Sequence, residues 1–293
     1  MNLLPKYPVF EPISLEMMEE ITPHLVVLPD GISEFTFVGL YLFRNTYAYK
    51  VSQKDDLIII SGSQDGKTFF ITPCCSGSSE LISELFQTHD YWKLISESFI
   101  QNNPQIFTHL NFELREDRDN FDYIYLRTDL ATLSGKKFHK KKNHVNAFQL
   151  AYPEFELRAL TSDTKKDAIE VLDYWASKQE NPEKTDYYAA KEALELLEHF
   201  KMKGSVLYVK NTPIAWCLAE PIASGKMVAV HFEKARTDFR GAYQYINYAF
   251  AQSLSENFEF INREQDLGDE GMRQAKMSYR PCGFVKKYKI EKR

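Results

Sequence analysis

The sequence predicts a mixed α/β fold of the α+β kind: two tandem lobes, each with a mostly antiparallel sheet flanked by helices. Three observations carry that expectation. Each half holds three short apolar runs separated by hairpin-type turns and followed by helical periodicity. These runs are Tyr47–Val51, Leu57–Ser61 and Thr68–Thr72 in the first half, and Val206–Val209, Ile214–Leu218 and Met227–Phe232 in the second. A length of 293 residues suits two domains of ordinary size or one large one. The halves share an order of elements but no sequence period, so duplication is expected in structure alone. The boundary is expected near Tyr152 to Thr161, giving lobes 1–155, with a basic linker helix, and 156–293.

In chain order, Ser14 caps a short helix over Leu15–Glu20 that Pro23 limits. Phe35–Arg44 is an aromatic run that suits either a strand or a buried helix. Lys54-Asp55-Asp56 and Gln64-Asp65-Gly66 join the first three strands. The stretch GSQDGKT imitates a phosphate loop but fails it, because three residues separate Gly62 from Gly66 where four are needed and a strand follows. Ser79–Gln87 and Tyr91–Gln101 have helical patterns. Phe112–Leu114 and Phe121–Leu126 suggest a strand pair around REDRDN. Ala159–Asp163 ends a strand, and Ser162 or Asp163 caps a helix over Lys166–Gln179. A further helix spans Tyr243 to Leu254.

The last segment is the most informative. Phe258–Ile261 has strand composition and runs into a loop that is almost all charged, amidated or glycine. Met272, Ala275, Lys276 and Tyr279 then recur at i, i+3, i+4 and i+7, with Asp269 and Glu270 in the first turn where carboxylates suit the helix dipole. Pro281 stops the helix. Phe284, Val285 and Tyr288 form a closing strand.

Composition bounds the function. Apolar residues make up 44% and aromatics 14%, enough for a packed core, and a net charge of −5 argues against a generally basic nucleic-acid binder. Cys74, Cys75, Cys217 and Cys282 lack zinc spacing and are expected as reduced, mostly buried thiols. No metal site is expected. With no leader-like N-terminus and no stretch of 18 apolar residues, the expected location is cytoplasmic.

Against this acidic background, five lysines and two histidines fall within Lys136–His144, inside LSGKKFHKKKNHVNAF. On a helix Phe138 and Val145 face inward, and Lys136, Lys137, Lys140 and His144 share an arc away from them. The run is either a solvated face or, with Lys141 included, a site for phosphates or another polyanion such as tRNA.

The order of strand, polar loop, helix, Tyr279-x-x-x-Gly283-Phe284 and strand resembles the last third of the Gcn5-related N-acetyltransferase (GNAT) fold. LSGKKFHKKKNHVNAF, HFEKARTDFRGAYQYIN and INREQDLGDEGMRQAKMSYRPCGF together resemble the C-terminal domain family of phosphatidylglycerol lysyltransferases. The likeness is strongest from Leu133 onward. It implies tandem GNAT-like domains related to Fem-type transferases, which move an aminoacyl group from aminoacyl-tRNA to an amine or a lipid hydroxyl. It also implies a general-acid role for Tyr279, whose alternative is a core tyrosine with its hydroxyl at the rim.

Coenzyme A users need bare backbone amides at a helix N-terminus to approach pyrophosphate. Aligned on Arg240, this chain places Tyr243 and Tyr245 where small residues belong, so acetyl-CoA is disfavoured and no cofactor is expected. His231 and Glu233 alternate with Val230 and Phe232, and so are expected to share a face; either is a candidate base or a structural group. Asn262, Arg263, Asp266, Asp269 and Arg273 are candidates for binding an acceptor, or else they satisfy one another. The leading expectation is transfer of an aminoacyl group from aminoacyl-tRNA to a small-molecule or lipid acceptor. A non-catalytic GNAT-like protein that binds tRNA, a nucleotide or another anion, and an acyl-CoA-dependent N-acyltransferase, are the alternatives.

Overall fold

In the computed structural model, residues 3–73, 78–109 and 113–291 are described. Cys74, Cys75 and Phe112 lie outside them. The strands are β1 (Glu11–Pro12), β2 (Lys50–Lys54), β3 (Leu57–Gln64), β4 (Lys67–Ile71), β5 (Tyr91–Ser96), β6 (Glu113–Glu116), β7 (Asp122–Leu126), β8 (Phe155–Ala159), β9 (Lys203–Val209), β10 (Thr212–Ile222), β11 (Met227–Ala235), β12 (Phe260–Asn262), β13 (Gly283–Val285) and β14 (Lys287–Glu291). Among the described residues they form two seven-stranded sheets, ordered β1-β2-β3-β4-β5-β14-β6 and β8-β9-β10-β11-β12-β7-β13. The two orders correspond position for position. Each sheet has one parallel contact, β4 with β5 and β11 with β12, and its other pairs are antiparallel.

The sixth position of each sheet is filled from the other half of the chain. β7 leaves the N-terminal half to lie between β12 and β13, and β14 returns to lie between β5 and β6. Sheet membership therefore crosses residue 155. The expected pairing of Phe112–Leu114 with Phe121–Leu126 does not form, since β6 pairs with β14 and β7 with β12 and β13. The single closing strand expected at the C-terminus is likewise two strands, one in each sheet.

Local chemistry explains most elements. The Asp55 and Asp65-Gly66 turns take positive φ, as tight hairpins require. Thr36, whose side chain accepts from Gly39 N, caps the helix Phe37–Leu42, so the aromatic run is a buried helix. Tyr91–Gln101, expected as a helix, is instead strand β5 followed by the helix Glu97–Asn102. All six residues of β5 are buried between two strands, and that burial overrides the local periodicity. Pro23 does not stop the first helix, which runs from Met18 to Val26 with Ile21 and Leu25 in the core. Thr164, rather than Ser162 or Asp163, precedes the helix Lys165–Ala176.

One core joins the halves. Phe37 and Tyr41 from the first pack against Phe200 of the second, with the Tyr41 and Phe200 centroids 5.7 Å apart, and continue into Trp216, Leu218 and Phe232 on one face of the second sheet. The opposite face is covered by the helices Arg127–Thr132, His139–Ala151 and Ala242–Ser253. Of the cysteines, Cys217 is buried and Cys282 is exposed. Among the described residues no helix is long and apolar enough to cross a membrane.

Candidate active site

β11 and β12 pair only from Met227↔Phe260 to Ala229↔Asn262 and then part. Side chains fill the opening. On the face covered by Ala242–Ser253, Glu233 accepts from Arg263 Nη2 at 3.0 Å and from Asn247 Nδ2 at 3.2 Å. Asn247 Oδ1 is a buried acceptor without a protein partner. The Arg263 guanidinium lies 4.9 Å from the Tyr279 ring centroid, and Lys141 Nζ lies 4.0 Å from the same centroid. The basic helix and the charged loop thus meet over Tyr279.

These positions have local causes. Asp269 caps the helix Glu270–Met277 by accepting from Met272 N at 2.6 Å, which fixes where Lys276 and Tyr279 project. Lys276 Nζ turns back and donates to the carbonyls of Arg263 (2.6 Å), Glu264 (3.0 Å) and Gln265 (2.6 Å). That clamp holds Glu264 in the left-handed region, φ 56°, which non-glycine residues rarely adopt. Tyr125 donates to Lys276 O at 2.8 Å and flanks Tyr279.

Electrostatics separates the groups. Burial pushes the Tyr279 phenol up to about 12 against the opposing effect of Arg263, so it keeps its proton at neutral pH. Burial, then the nearby Arg263 charge, brings the Lys141 ammonium down to about 8. Lys276 is also near 8, chiefly through burial.

His231 and Glu233 do not share a face, contrary to the alternation in the sequence. The β10–β11 register shifts between Leu218 and Ala219, where Ala219 faces Val230 and Leu218 faces Phe232, and the bulge at His231 reverses the sidedness of the residues after it. Val230 packs with the helix Ala242–Ser253, whereas Phe232 packs in the core joining the halves. His231 points to the other side, with Nδ1 2.6 Å from Glu264 Oε1 and Nε2 2.8 Å from Glu220 Oε1. Burial opposes its charge, but Glu264 and Glu220 outweigh burial and raise it to about 10.

The remaining loop residues are engaged within the protein. Asn262 is buried; it donates to Gly31 O and Asp122 and accepts from Glu264 N. Asp266 is fully buried and accepts from Arg118, Tyr123, Arg273 and Gly268 N. Arg273 also reaches Asp119 at 2.7 Å.

The basic segment is a short turn, Lys136–Phe138, followed by the helix His139–Ala151, so its lysines do not lie on one continuous arc. Lys136 and Lys140 are exposed, Lys137 pairs with Asp129 at 2.7 Å, and Lys141 turns inward. Arg240 is exposed beside Gly241, which takes φ 90° at the start of Ala242–Ser253. A Cβ at Gly241 would sit 3.1 Å from His144 O and from Phe148 Cβ, so the basic helix presses on this end. Tyr245 stacks on Phe148 at 4.6 Å.

Asn247, Glu264 and Tyr125 carried no signal in the sequence. Lys276 did: it is a charge on the apolar stripe of Met272, Ala275 and Tyr279, where an unpaired ammonium is costly and a dedicated partner is to be expected.

Two sheets of matched order, each opening at a single parallel pair, define a tandem GNAT-like acyltransferase fold. The chain belongs to the family described as phosphatidylglycerol lysyltransferase, C-terminal, which matches residues 26–291. A solved conserved protein of unknown function from Bacteroides thetaiotaomicron is 30% identical, with a TM-score of 0.87 over 97% of this chain and 99% of that one. The C-terminal domain of a putative lysylphosphatidylglycerol synthetase from Agrobacterium fabrum shares the fold at 13% identity, TM-score 0.66, over 96% and 93% of the two chains. L-PGS from Bacillus licheniformis does so at 12% identity, TM-score 0.64, over 100% and 94%. An uncharacterised protein of Mycoplasmoides gallisepticum is 24% identical over 184 residues, which span 61% of this chain and 58% of that protein.

Proposed function

We propose that the protein transfers an aminoacyl group from aminoacyl-tRNA to an amine or hydroxyl acceptor. The observation that carries this proposal is the meeting of a protonated phenol, a proton-loosened ammonium and an arginine over the Tyr279 ring, where β11 and β12 part. Transfer from an ester needs a base for the acceptor's proton, a cation for the tetrahedral oxyanion and an acid for the leaving ribose oxygen. Lys141, Arg263 and Tyr279 suit those three roles in turn.

His231 is held as an imidazolium between two carboxylates, and Glu233 is taken by Arg263 and Asn247, so neither suits the base. Asn262, Asp266 and Arg273 act by fixing the loop that carries Arg263.

Two features favour tRNA over acyl-CoA as donor. The helix end at Gly241, where pyrophosphate would need bare amides, is pressed by His144 and Phe148. The exposed Lys136 and Lys140 lie on the segment whose Lys141 enters the cluster, so a bound polyanion would be led toward Tyr279. The family description supports phosphatidylglycerol as one acceptor to try. Incubation with lysyl-tRNA, alone and with phosphatidylglycerol vesicles or primary amines, tests the proposal. Label must move to an acceptor, and Tyr279→Phe must slow that movement; charged tRNA that stays intact with every acceptor would refute it.

A further inference from the structure

A cavity of about 230 Å³ lies on the face of the second sheet opposite Tyr279, between the helix Met18–Val26 and the end of β10. Its wall includes Leu25, Phe35, Phe200 and Ile222, and Thr22, Thr36, Lys201 and Glu220 interrupt that apolar surface. Thr22 Oγ1 is buried away from the cavity, and Thr36 Oγ1 accepts from Gly39 N, so neither hydroxyl is offered to a ligand. Glu220 reaches His231 through Oε1 and brings a carboxylate to the wall. His231 also faces Glu264, so the ring is held between two carboxylates, of which Glu220 lines the cavity. Lys201, the other charged lining residue, is exposed and therefore screened by water.

We propose that this cavity binds a small amphipathic primary amine, its ammonium against Glu220 and its hydrocarbon body among Leu25, Phe35, Phe200 and Ile222. An ammonium carries three donors and no acceptor. The Glu220 carboxylate can accept from it and would repel a carboxylate ligand. At roughly 30 Å³ for each water-sized group, the space holds about eight non-hydrogen atoms, which admits hexylamine and excludes a whole phospholipid. The site is separate from the Tyr279 cluster, so its occupancy can be measured without any transfer chemistry.

Titration calorimetry of the whole protein with butylamine through decylamine, hexanol and hexanoate tests the site. Each added methylene should tighten binding by about threefold to fourfold until the cavity is full, near hexylamine to heptylamine. Hexanol should bind about tenfold more weakly than hexylamine, and hexanoate should not bind measurably, because a buried charge needs an opposite partner. Ala223→Phe, which fills the space, should abolish binding. Glu220→Gln keeps the shape of the side chain while removing its charge, and should weaken hexylamine binding by roughly tenfold while leaving hexanol binding unchanged. Hexanoate or hexanol binding as tightly as hexylamine would overturn the proposal. So would affinities that ignore chain length, or hexylamine binding that neither substitution alters.

Discussion

Lys287 Nζ lies 2.7 Å from Asp122 Oδ1, and these are the first residues of β14 and β7, the two strands exchanged between the sheets. Both side chains are fully buried, and Glu34 also accepts from Lys287, while Asp122 accepts from Ser33 N and Oγ and from Asn262. The pair fixes where each half of the chain crosses into the other sheet. A buried pair that loses one partner leaves an uncompensated charge, so Lys287→Met should cost about 3–5 kcal/mol in denaturant unfolding. Adding Asp122→Asn should return part of that loss, because the two residues are directly coupled. Strict additivity of the two substitutions would show that the pair does not hold the crossing.

The His231 clamp gives a pH signature. Its folded-state value is raised to about 10 from an ordinary value near 6.5. The imidazolium therefore contributes its full stability below about pH 6.5, and loses it progressively as pH rises through about 10. Denaturation midpoints measured from pH 6 to 10 should fall more steeply for the native protein than for His231→Gln. Parallel curves would show that Glu220 and Glu264 do not retain the proton.

Acetyl-CoA should not raise the melting temperature. A ligand stabilises the native state by RT ln(1 + [L]/Kd), about 2.7 kcal/mol at 100 times its Kd. Thermal scans across a concentration series should stay flat, because Phe148 and His144 press on the helix end at Gly241. A concentration-dependent rise that Arg240→Ala abolishes would return acyl-CoA to consideration.

The matched strand order of the two halves was legible in the sequence because hairpin turns and apolar runs are local signals. Phe121–Leu126 also read as a strand from its own residues. Which sheet it joins depends on Ile261 and Phe284, far along the chain, and no local pattern carries that information. Tyr279 was visible through its spacing to Gly283 and Phe284. The sidedness of His231 and Glu233 was not, since a one-residue bulge inverts a face without altering composition. Lys141 looked like its neighbours in the basic run. Only the packing of Val145 and Phe148 into the core turns it inward.

That distinction among the lysines has a measurable consequence. If Lys136 and Lys140 contact phosphates, log Kd for tRNA should depend on log salt with a slope of magnitude about 0.7–0.9 per contact. Lys140→Ala should lower that magnitude by about one contact and leave thermal stability nearly unchanged, because an exposed lysine contributes little to folding. Filter binding from 50 to 300 mM salt reads the slope. An unchanged slope for both Lys136→Ala and Lys140→Ala would assign the run to solvent.

Proton transfer over Tyr279 is the central claim, and the pH dependence of a single turnover with charged tRNA tests it most directly. With enzyme in excess and a productive acceptor present, the rate of aminoacyl transfer should rise about tenfold per pH unit below about 8 and level off above it, as Lys141 loses its proton. Lys141→Met should remove that rise and slow transfer by roughly 100-fold or more at pH 8. Tyr279→Phe should keep the rise at a lower plateau, because the phenol stays protonated to about 12. A profile that keeps the same inflection after Lys141→Met would contradict the assignment of Lys141, and full activity in Tyr279→Phe would contradict the site itself.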